Sequence, residues 1–365
     1  MKIVMLNLTS GLVHRGVETV VDELGSRFVR EKHDVVVFQG KKEKKPYRVI
    51  EVLTHGSVEP NVEGSLVKKM LHFFYADAYS RRVRRFTHAC LSRIKQERPD
   101  VIIPLNGGWQ TRWVRDLGRS MHALIVVSGQ AGVGYDDWWN LQQDPDAFVA
   151  LTPVAERWAK RIRPDILVER IPNGVDLDRF LPTGEKYRLK VKPPVILCVA
   201  ALDPYKRIDR LLYAASELSN GSVVICGQGV KGEEERIDFL GSALLGPNRY
   251  QRILIDHAAM PSVYRAADIL SLPSKPSEAF GISMVEAMAC NLPVVVPDDE
   301  NRRWVVGDAG TFAAVGEPKR YAAALEETLH TAYGERPRLQ AQRFSWDAIA
   351  DSYLKLFSRC RNERL

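Results

Sequence analysis

The sequence predicts an α/β protein made of two doubly wound, parallel-sheet domains, and three observations predict it. Short apolar, β-branched runs recur with helical segments between them, the pattern of parallel sheets covered on both faces. The runs form two sets on either side of Ile171-Pro172-Asn173-Gly174-Val175-Asp176, where Pro and Asn-Gly mark a turn or hinge. A chain of 365 residues is also long enough for two such domains, each with its own core.

The strands expected in the first set are 3–8, 34–39, 48–53, 100–105, 123–128 and 147–151, and those of the second are 195–200, 222–226, 253–255, 269–272, 293–296 and 311–314. In such sheets a ligand lies beyond the carboxyl ends of the strands. Near the end, Phe344-Ser345-Trp346-Asp347 opens a helix with an N-cap and an amphipathic stripe through Phe357. The expected domains are 1–173 together with the terminal helix at about 345–365, and 174–344. No internal repeat or low-complexity stretch is present.

With 45% hydrophobic and 27% charged residues, the chain belongs among globular proteins and not among disordered or fibrous ones. No apolar run is long enough to span a membrane, and Lys2-Ile3-Val4-Met5-Leu6 already reads as a strand, so neither a span nor a signal peptide is expected and a cytoplasmic location is the default. The five cysteines and eight histidines are scattered without metal-ligand spacing, so no metal is expected. The net charge of +7 arises entirely in residues 1–100, which hold 19 Lys and Arg against 12 Asp and Glu. The excess gathers at Lys41-Lys42-Glu43-Lys44-Lys45, at Lys68-Lys69, and at Arg81, Arg82, Arg84 and Arg85. Between the last two lies an aromatic stretch of helical character, Met70 to Tyr79, which suits an anionic membrane surface as well as a solvated helix with its aromatics inside. No nucleic-acid fold signature accompanies the charge, so no nucleic-acid partner is expected.

The chemistry-bearing stretch is Ser277-Glu278-Ala279-Phe280-Gly281-Ile282-Ser283-Met284-Val285-Glu286-Ala287-Met288-Ala289-Cys290-Asn291. Residues 282–290 have almost no polar face, which predicts a buried helix with Glu286 in its middle. A buried carboxylate must be paired or bound to a ligand. Gly281 lets a ligand approach the backbone, and the first free N–H groups after it suit phosphate.

That combination, with the following Pro293-Val294-Val295, resembles the signature of retaining glycosyltransferases of family 4. The resemblance implies the GT-B fold, two Rossmann-like domains facing across a cleft, the first for the acceptor and the second for a nucleoside-diphosphate-sugar donor. It implies that Glu278 contacts donor-sugar hydroxyls, that Glu286 holds the ribose, and that Phe280, Gly281, Ile282 and Ser283 offer backbone groups to sugar and diphosphate. Lys206, after Asp203-Pro204, matches the family's lysine, with Arg207 beside it as a second cation for the leaving diphosphate. Ala201 stands where relatives carry an arginine, and Asn291 where they carry glycine, a tolerable left-handed helix cap. Gly16 matches a glycine that nears the donor from the first domain. Gly227-Gln228-Gly229-Val230-Lys231-Gly232 fits a dinucleotide fingerprint but follows the wrong strand, and by resemblance Gly227 lies near the nucleotide base. Gln130 falls where many relatives have histidine, and Tyr135-Asp136-Asp137-Trp138-Trp139 reads as an aromatic acceptor-side loop with two acids.

The expected activity is therefore transfer of a sugar with retention to an acceptor hydroxyl in cell-envelope or other glycan assembly. No cofactor is expected beyond the donor, the acceptor is a glycan or lipid-linked molecule, and the location is cytoplasmic, with the inner membrane face as a peripheral site that the basic first domain suits. The alternatives are a nucleotide-sugar epimerase of the same fold and a non-catalytic glycan or polyanion binder.

Overall fold

The computed structural model describes residues 1–58, 66–229 and 231–364. The chain divides into two units, Met1–Asn173 with Trp346–Leu365, and Gly174–Ser345.

In the first unit the order is β1 (Lys2–Asn7), α1 (Gly16–Arg30), β2 (Asp34–Gln39), β3 (Arg48–Glu51), α2 (Leu66–Phe73), α3 (Ala78–Glu97), β4 (Val101–Pro104), α4 (Trp109–Met121), β5 (Leu124–Ser128), α5 (Tyr135–Leu141), β6 (Ala147–Ala150), α6 (Pro153–Ile162) and β7 (Leu167–Arg170). In the second it is β8 (Val195–Val199), α7 (Ile208–Ser216), β9 (Ser222–Cys226), α8 (Lys231–Leu245), β10 (Tyr250–Ile253), α9 (Met260–Tyr264), β11 (Ile269–Ser271), α10 (Ile282–Ala289), β12 (Val294–Pro297), α11 (Glu300–Val306), β13 (Gly310–Ala313), α12 (Pro318–His330) and α13 (Arg336–Gln342). The chain then returns to the first unit as α14 (Trp346–Arg364).

Both sheets are parallel throughout, in the orders β3-β2-β1-β4-β5-β6-β7 and β10-β9-β8-β11-β12-β13. The central strands Ile3-Val4-Met5-Leu6, Val35-Val36-Val37-Phe38 and Val101-Ile102-Ile103 are buried end to end, because helices cover both faces and leave no solvent side for a polar residue. Register pairs Val4 with Val36 and Ile102, and in the second sheet Ile196 with Val223 and Ile269. Strands at or beside the sheet margins, such as Arg48-Val49-Ile50-Glu51 and Leu167-Val168-Glu169-Arg170, carry charges, which discourages pairing with another chain.

Two strand expectations need correction. β10 is Tyr250–Ile253, three residues earlier than the Ile-Leu-Ile run suggested, and Leu254 is exposed. β7 is not among the expected strands; its charged second half, Glu169-Arg170, masks a strand with a single buried residue, Val168. The stretch from Met70 to Tyr79 is not one helix. α2 ends at Phe73, Tyr75 adopts φ +49, and α3 restarts behind an Asp77 cap whose carboxylate accepts from Ser80 N at 3.0 Å.

α14 completes the first core. Tyr353 and Phe357 pack edge-on against Phe28 of α1, and Tyr353 Oη meets Ser128 Oγ of β5 at 3.0 Å. Arg27, buried in α1, bonds Asp347 Oδ1 through Nε at 2.6 Å.

Candidate active site

In the second sheet the chain runs from β8 outward to β9 and β10, and then from β11 outward the other way, so the crevice falls between the carboxyl ends of β8 and β11. The loop leaving β8 is shaped by Asp203, whose side chain accepts from Tyr205 N at 2.8 Å and starts a 3-10 turn over Pro204–Lys206. The loop leaving β11 bears Glu278. The two loops meet through Lys206 Nζ and Glu278 Oε2, 2.6 Å apart and both largely shielded from solvent.

Two arginines fix that second loop. Arg207, in the left-handed region at φ +52, donates Nε to Pro273 O (2.9 Å) and an Nη to Ser274 O (3.0 Å), leaving one Nη to spare. Burial pulls its guanidinium below the ordinary arginine range, with Arg210 and Arg302 adding to the effect. Arg302 is buried in the first turn of α11 and donates to Ser274 O (3.1 Å), Ser274 Oγ (2.8 Å) and Lys275 O (2.9 Å), while Nη1 pairs with Asp299. Backbone carbonyls in a turn cannot all find partners within the turn, so a buried guanidinium with five donors satisfies them and removes the loop's freedom.

Glu286 lies buried in α10, with a donor on each oxygen. Tyr264 Oη donates to Oε2 at 2.7 Å, and His257 Nε2 meets Oε1 at 3.1 Å. Arg179 approaches His257 Nδ1 at 3.1 Å and can only donate, so Nδ1 accepts and Nε2 carries the proton toward Glu286. Burial, reinforced by the Glu286 charge, drives the Tyr264 phenol far above its ordinary range and keeps it a donor. A carboxylate has about four lone-pair sites, so two remain for a ligand.

At the head of α10, Phe280 is a core residue, edge-on to Phe344 with centroids 5.6 Å apart, and only its backbone is open to a ligand. Gly281 has φ +84, and a Cβ there would come within 2.6 Å of Met284 Cε. Ile282 and Ser283 follow as the first helical residues, with no side chain capping them. The far end holds as the sequence suggests. Asn291 takes φ +61, and its side chain adds what glycine lacks, donating to Gly334 O at 2.9 Å and accepting from Arg338 N at 3.2 Å.

The glycine-rich turn after β9 has a packing explanation. Leu202 N donates to Gln228 O at 2.9 Å, and a Cβ on Gly227 would lie 1.9 Å from Ala200 O, one on Gly229 2.1 Å from Leu202 O. These glycines let the loops after β8 and β9 run side by side. Val230 lies outside the described residues.

In the first sheet the corresponding switch point lies between β1 and β4. Gly16 is the exposed first residue of α1, with Arg15 extended before it and His14 exposed. A cavity of about 170 Å³ opens where the segments after β4 and β5 converge, walled by Tyr75, Asn106, Gly108, Trp109, Asp136 and Asp137 among others. Gln130 also reaches it and is locked in a reciprocal amide pair with Asn173 (3.0 and 2.9 Å), with a further donation to Ser128 Oγ at 2.8 Å. The expected aromatic loop at 135–139 is instead α5, because Gly134 releases the chain into a helix whose first turn holds both acids. Tyr75 Oη donates to Asp136 Oδ1 at 2.9 Å, and Tyr135 stacks with Phe73, Tyr75 and Trp138. Asp137 is buried. Desolvation pushes its carboxyl up to about 8 against the donations it receives from Asn140 and from the Gly132 and Ala131 amides. His72 is raised, first by its bond to Asp136 and also by Asp77.

The four-arginine cluster is not one surface. Arg82 is buried and bonds Gly56 O and Thr54 O, both at 2.6 Å, whereas Arg81, Arg84 and Arg85 are exposed. α2 buries none of its side chains, and Leu66, Val67, Met70, Phe73 and the following Phe74 are exposed beside Lys68 and Lys69. Among the described residues no helix is long and apolar enough to cross a membrane, and no group of three or more His, Cys, Asp or Glu is placed to hold a metal.

Sequence reasoning missed Arg302, His257, Arg179 and Tyr264. A signal existed for Arg302: a cation three residues after a helix cap opposes the helix dipole and so asks for another reason to be there.

Residues 14–179 match the family described as Glycosyltransferase Family 4, and residues 183–343 match Glycosyl transferases group 1. Among solved structures, the sucrose-phosphate synthase of Thermosynechococcus elongatus aligns with a TM-score of 0.79 at 18% identity, covering 99% of each chain. Anabaena HepE, solved with UDP and glucose, aligns at 0.75 and 16% identity, over 98% of this chain and all of the other. Two parallel α/β units of this kind define the GT-B fold. D-inositol 3-phosphate glycosyltransferase of Kineococcus radiotolerans is 32% identical over 303 residues, 70% of this chain and 69% of that protein. Phosphatidyl-myo-inositol mannosyltransferase of Mycolicibacterium smegmatis is 29% identical over 223 residues, and the match spans 56% of its length; several other curated relatives are matched over about half of theirs. The chain belongs to the family 4 glycosyltransferases.

Proposed function

We propose that the protein transfers a sugar, with retention, from a nucleoside-diphosphate-sugar held by the second unit to a hydroxyl of a glycan or lipid-linked acceptor held by the first. The observation that carries this is the Lys206–Glu278 pair at the switch point of the second sheet, backed by the buried Glu286. In the bound state Lys206 turns to the diphosphate, with the spare Nη of Arg207 behind it, and neutralises the charge that grows as the leaving group departs. Glu278, released from Lys206, accepts hydroxyls of the donor sugar. Glu286 takes the ribose diol on its two remaining lone pairs. The backbone of Phe280, Gly281, Ile282 and Ser283 lines the sugar and diphosphate, and Gly227 flanks the base. The acceptor attacks the face the diphosphate leaves, and the departing phosphate oxygen takes its proton. No metal is required in this scheme.

The exposed apolar row of α2 beside Lys68 and Lys69 supports peripheral binding to an anionic membrane. Arg82 takes no part in it.

The test is a thermal-shift screen of UDP-, GDP-, ADP- and dTDP-sugars with wild type and Glu286→Gln. A donor at about 100 times its Kd stabilises the fold by about 2.7 kcal/mol. One donor should raise the wild-type midpoint and fail with the variant. A screen in which no donor shifts the wild type, or in which the variant responds equally, overturns the proposal.

A further inference from the structure

Glu286 is a buried carboxylate that no lysine or arginine pairs with among the described residues. Each of its oxygens instead takes one directed donor, Tyr264 Oη on Oε2 and His257 Nε2 on Oε1. What stands behind those two donors comes from the segment that opens the second unit. The Phe180 ring packs against both, its centre 6.0 Å from that of His257 and 5.9 Å from that of Tyr264. Arg338 fastens this segment to the end of α10, donating to Leu177 O (2.8 Å), Phe180 O (2.5 Å) and Ala289 O (2.7 Å). Arg179, its guanidinium 5.1 Å from the Phe180 ring centre, is thereby aimed at His257, where it donates to Nδ1 and to the backbone carbonyl. Because Arg179 can only donate, the lone pair of Nδ1 faces it and the ring proton stays on Nε2.

We infer that Arg179 and His257 are positioning residues that make the nucleotide site select ribose over 2'-deoxyribose, so that the donor is a ribonucleoside-diphosphate sugar and dTDP-sugars are rejected. This rests on the proposed placement of the nucleotide ribose against Glu286. One donor on each oxygen leaves one lone pair on each, side by side, and a vicinal diol brings two O–H groups to fill them. A 2'-deoxyribose fills only one. The other lone pair then stays unpaired in a site where Glu286 is 5% exposed, and a site built around a hydroxyl penalises the ligand that lacks it. Without the His257 donor, the carboxylate is free to turn and Oε1 has two open lone pairs. A single hydroxyl then serves it nearly as well as two. The choice of sugar therefore lies in the array that holds Glu286 still.

The experiment is titration calorimetry on the full chain with UDP, GDP and ADP, their 2'-deoxy counterparts, and dTDP. It compares wild type with His257→Phe, His257→Gln and Arg179→Met. In the wild type, the ribonucleotide that binds should do so about tenfold or more tightly than its 2'-deoxy form. His257→Phe and Arg179→Met should bring the two forms within about threefold of each other, whereas His257→Gln, whose amide N–H replaces Nε2, should keep the preference. Equal binding of the two forms by wild type, or binding of dTDP alone, overturns this inference and leaves the donor reading standing. A ratio that His257→Phe or Arg179→Met leaves at its wild-type value also overturns it, even where both affinities fall together, because that is the mark of a merely structural role. So does a His257→Gln protein as unselective as His257→Phe. The His257 side chain is 31% exposed and Arg179 half-buried, so neither change opens the core, and if one variant fails to fold the other decides. Absence of binding by every nucleotide sinks both this inference and the reading beneath it.

Discussion

Replacing Asp137 by Asn should make the protein more stable at neutral pH, and the gain should vanish in acid. The carboxyl moves from an ordinary value of 3.8 to about 8 on folding because burial penalises its charge. The folded chain therefore binds a proton that the unfolded chain has released between those limits. A raised acid contributes stability that is complete below the unfolded value and is lost as pH rises through the folded one. Each pH unit inside that window costs about 1.36 kcal/mol, so from pH 5.5 to 7.5 the wild type should lose about 2.5 kcal/mol through this group. Asn has nothing to titrate, keeps an acceptor for the Ala131 and Gly132 amides, and replaces the carboxyl O–H with a donor. His72 is also raised and acts with the same sign, but it is present in both proteins and cancels in the difference. Six of the seven tryptophans lie in the first unit, so tryptophan fluorescence reports its unfolding in urea. With a slope of about 2.5 kcal/mol per molar, the midpoint difference between variant and wild type should widen by about 1 M from pH 5.5 to 7.5. Parallel pH profiles would refute the reasoning, because they would mean that the carboxyl is ionised in the fold.

Further outcomes follow from the second unit. Lys206→Met should lower kcat by about 10² to 10³ while leaving donor binding comparatively intact, measured by steady-state kinetics against the thermal-shift Kd. Arg302→Met leaves the Lys275 carbonyl and Ser274 Oγ without this donor and the Ser274 carbonyl with Arg207 alone, and should cost about 3–5 kcal/mol, together with most of the donor response, although Arg302 touches no proposed ligand; urea unfolding and the donor screen check both. Asn291→Gly relieves a left-handed residue but deletes two hydrogen bonds, one to Gly334 O before α13 and one from Arg338 N within it, and should destabilise by about 1 kcal/mol in urea.

The sequence made the fold legible because parallel strands buried on both faces leave uninterrupted apolar runs, and those runs also place the switch points. β7 and β10 escaped because edge strands carry charges or polar residues to deter pairing, which erases the same signal. At the site, Glu286 was visible as a carboxylate in an apolar helix. Its partners His257 and Tyr264 were not, since each comes from a different segment and neither looks out of place in its own. Arg82 illustrates the opposite error: four arginines in five positions read as one charged face, yet helical geometry turns Arg82 inward to hold the 54–57 turn.

The return of α14 to the first unit sets an order of events during synthesis. The second unit is a continuous stretch and can close its sheet soon after it emerges from the ribosome. The first unit is interrupted, and its partners for Phe28 and Ser128 are made only after the whole second unit. At about 5–20 residues per second, translation of the intervening stretch takes roughly ten to thirty seconds. For that interval an apolar groove beside α1 stands uncovered on a nascent chain, a landing place for a chaperone. A chain cut short before Trp346 would keep that groove for its whole lifetime.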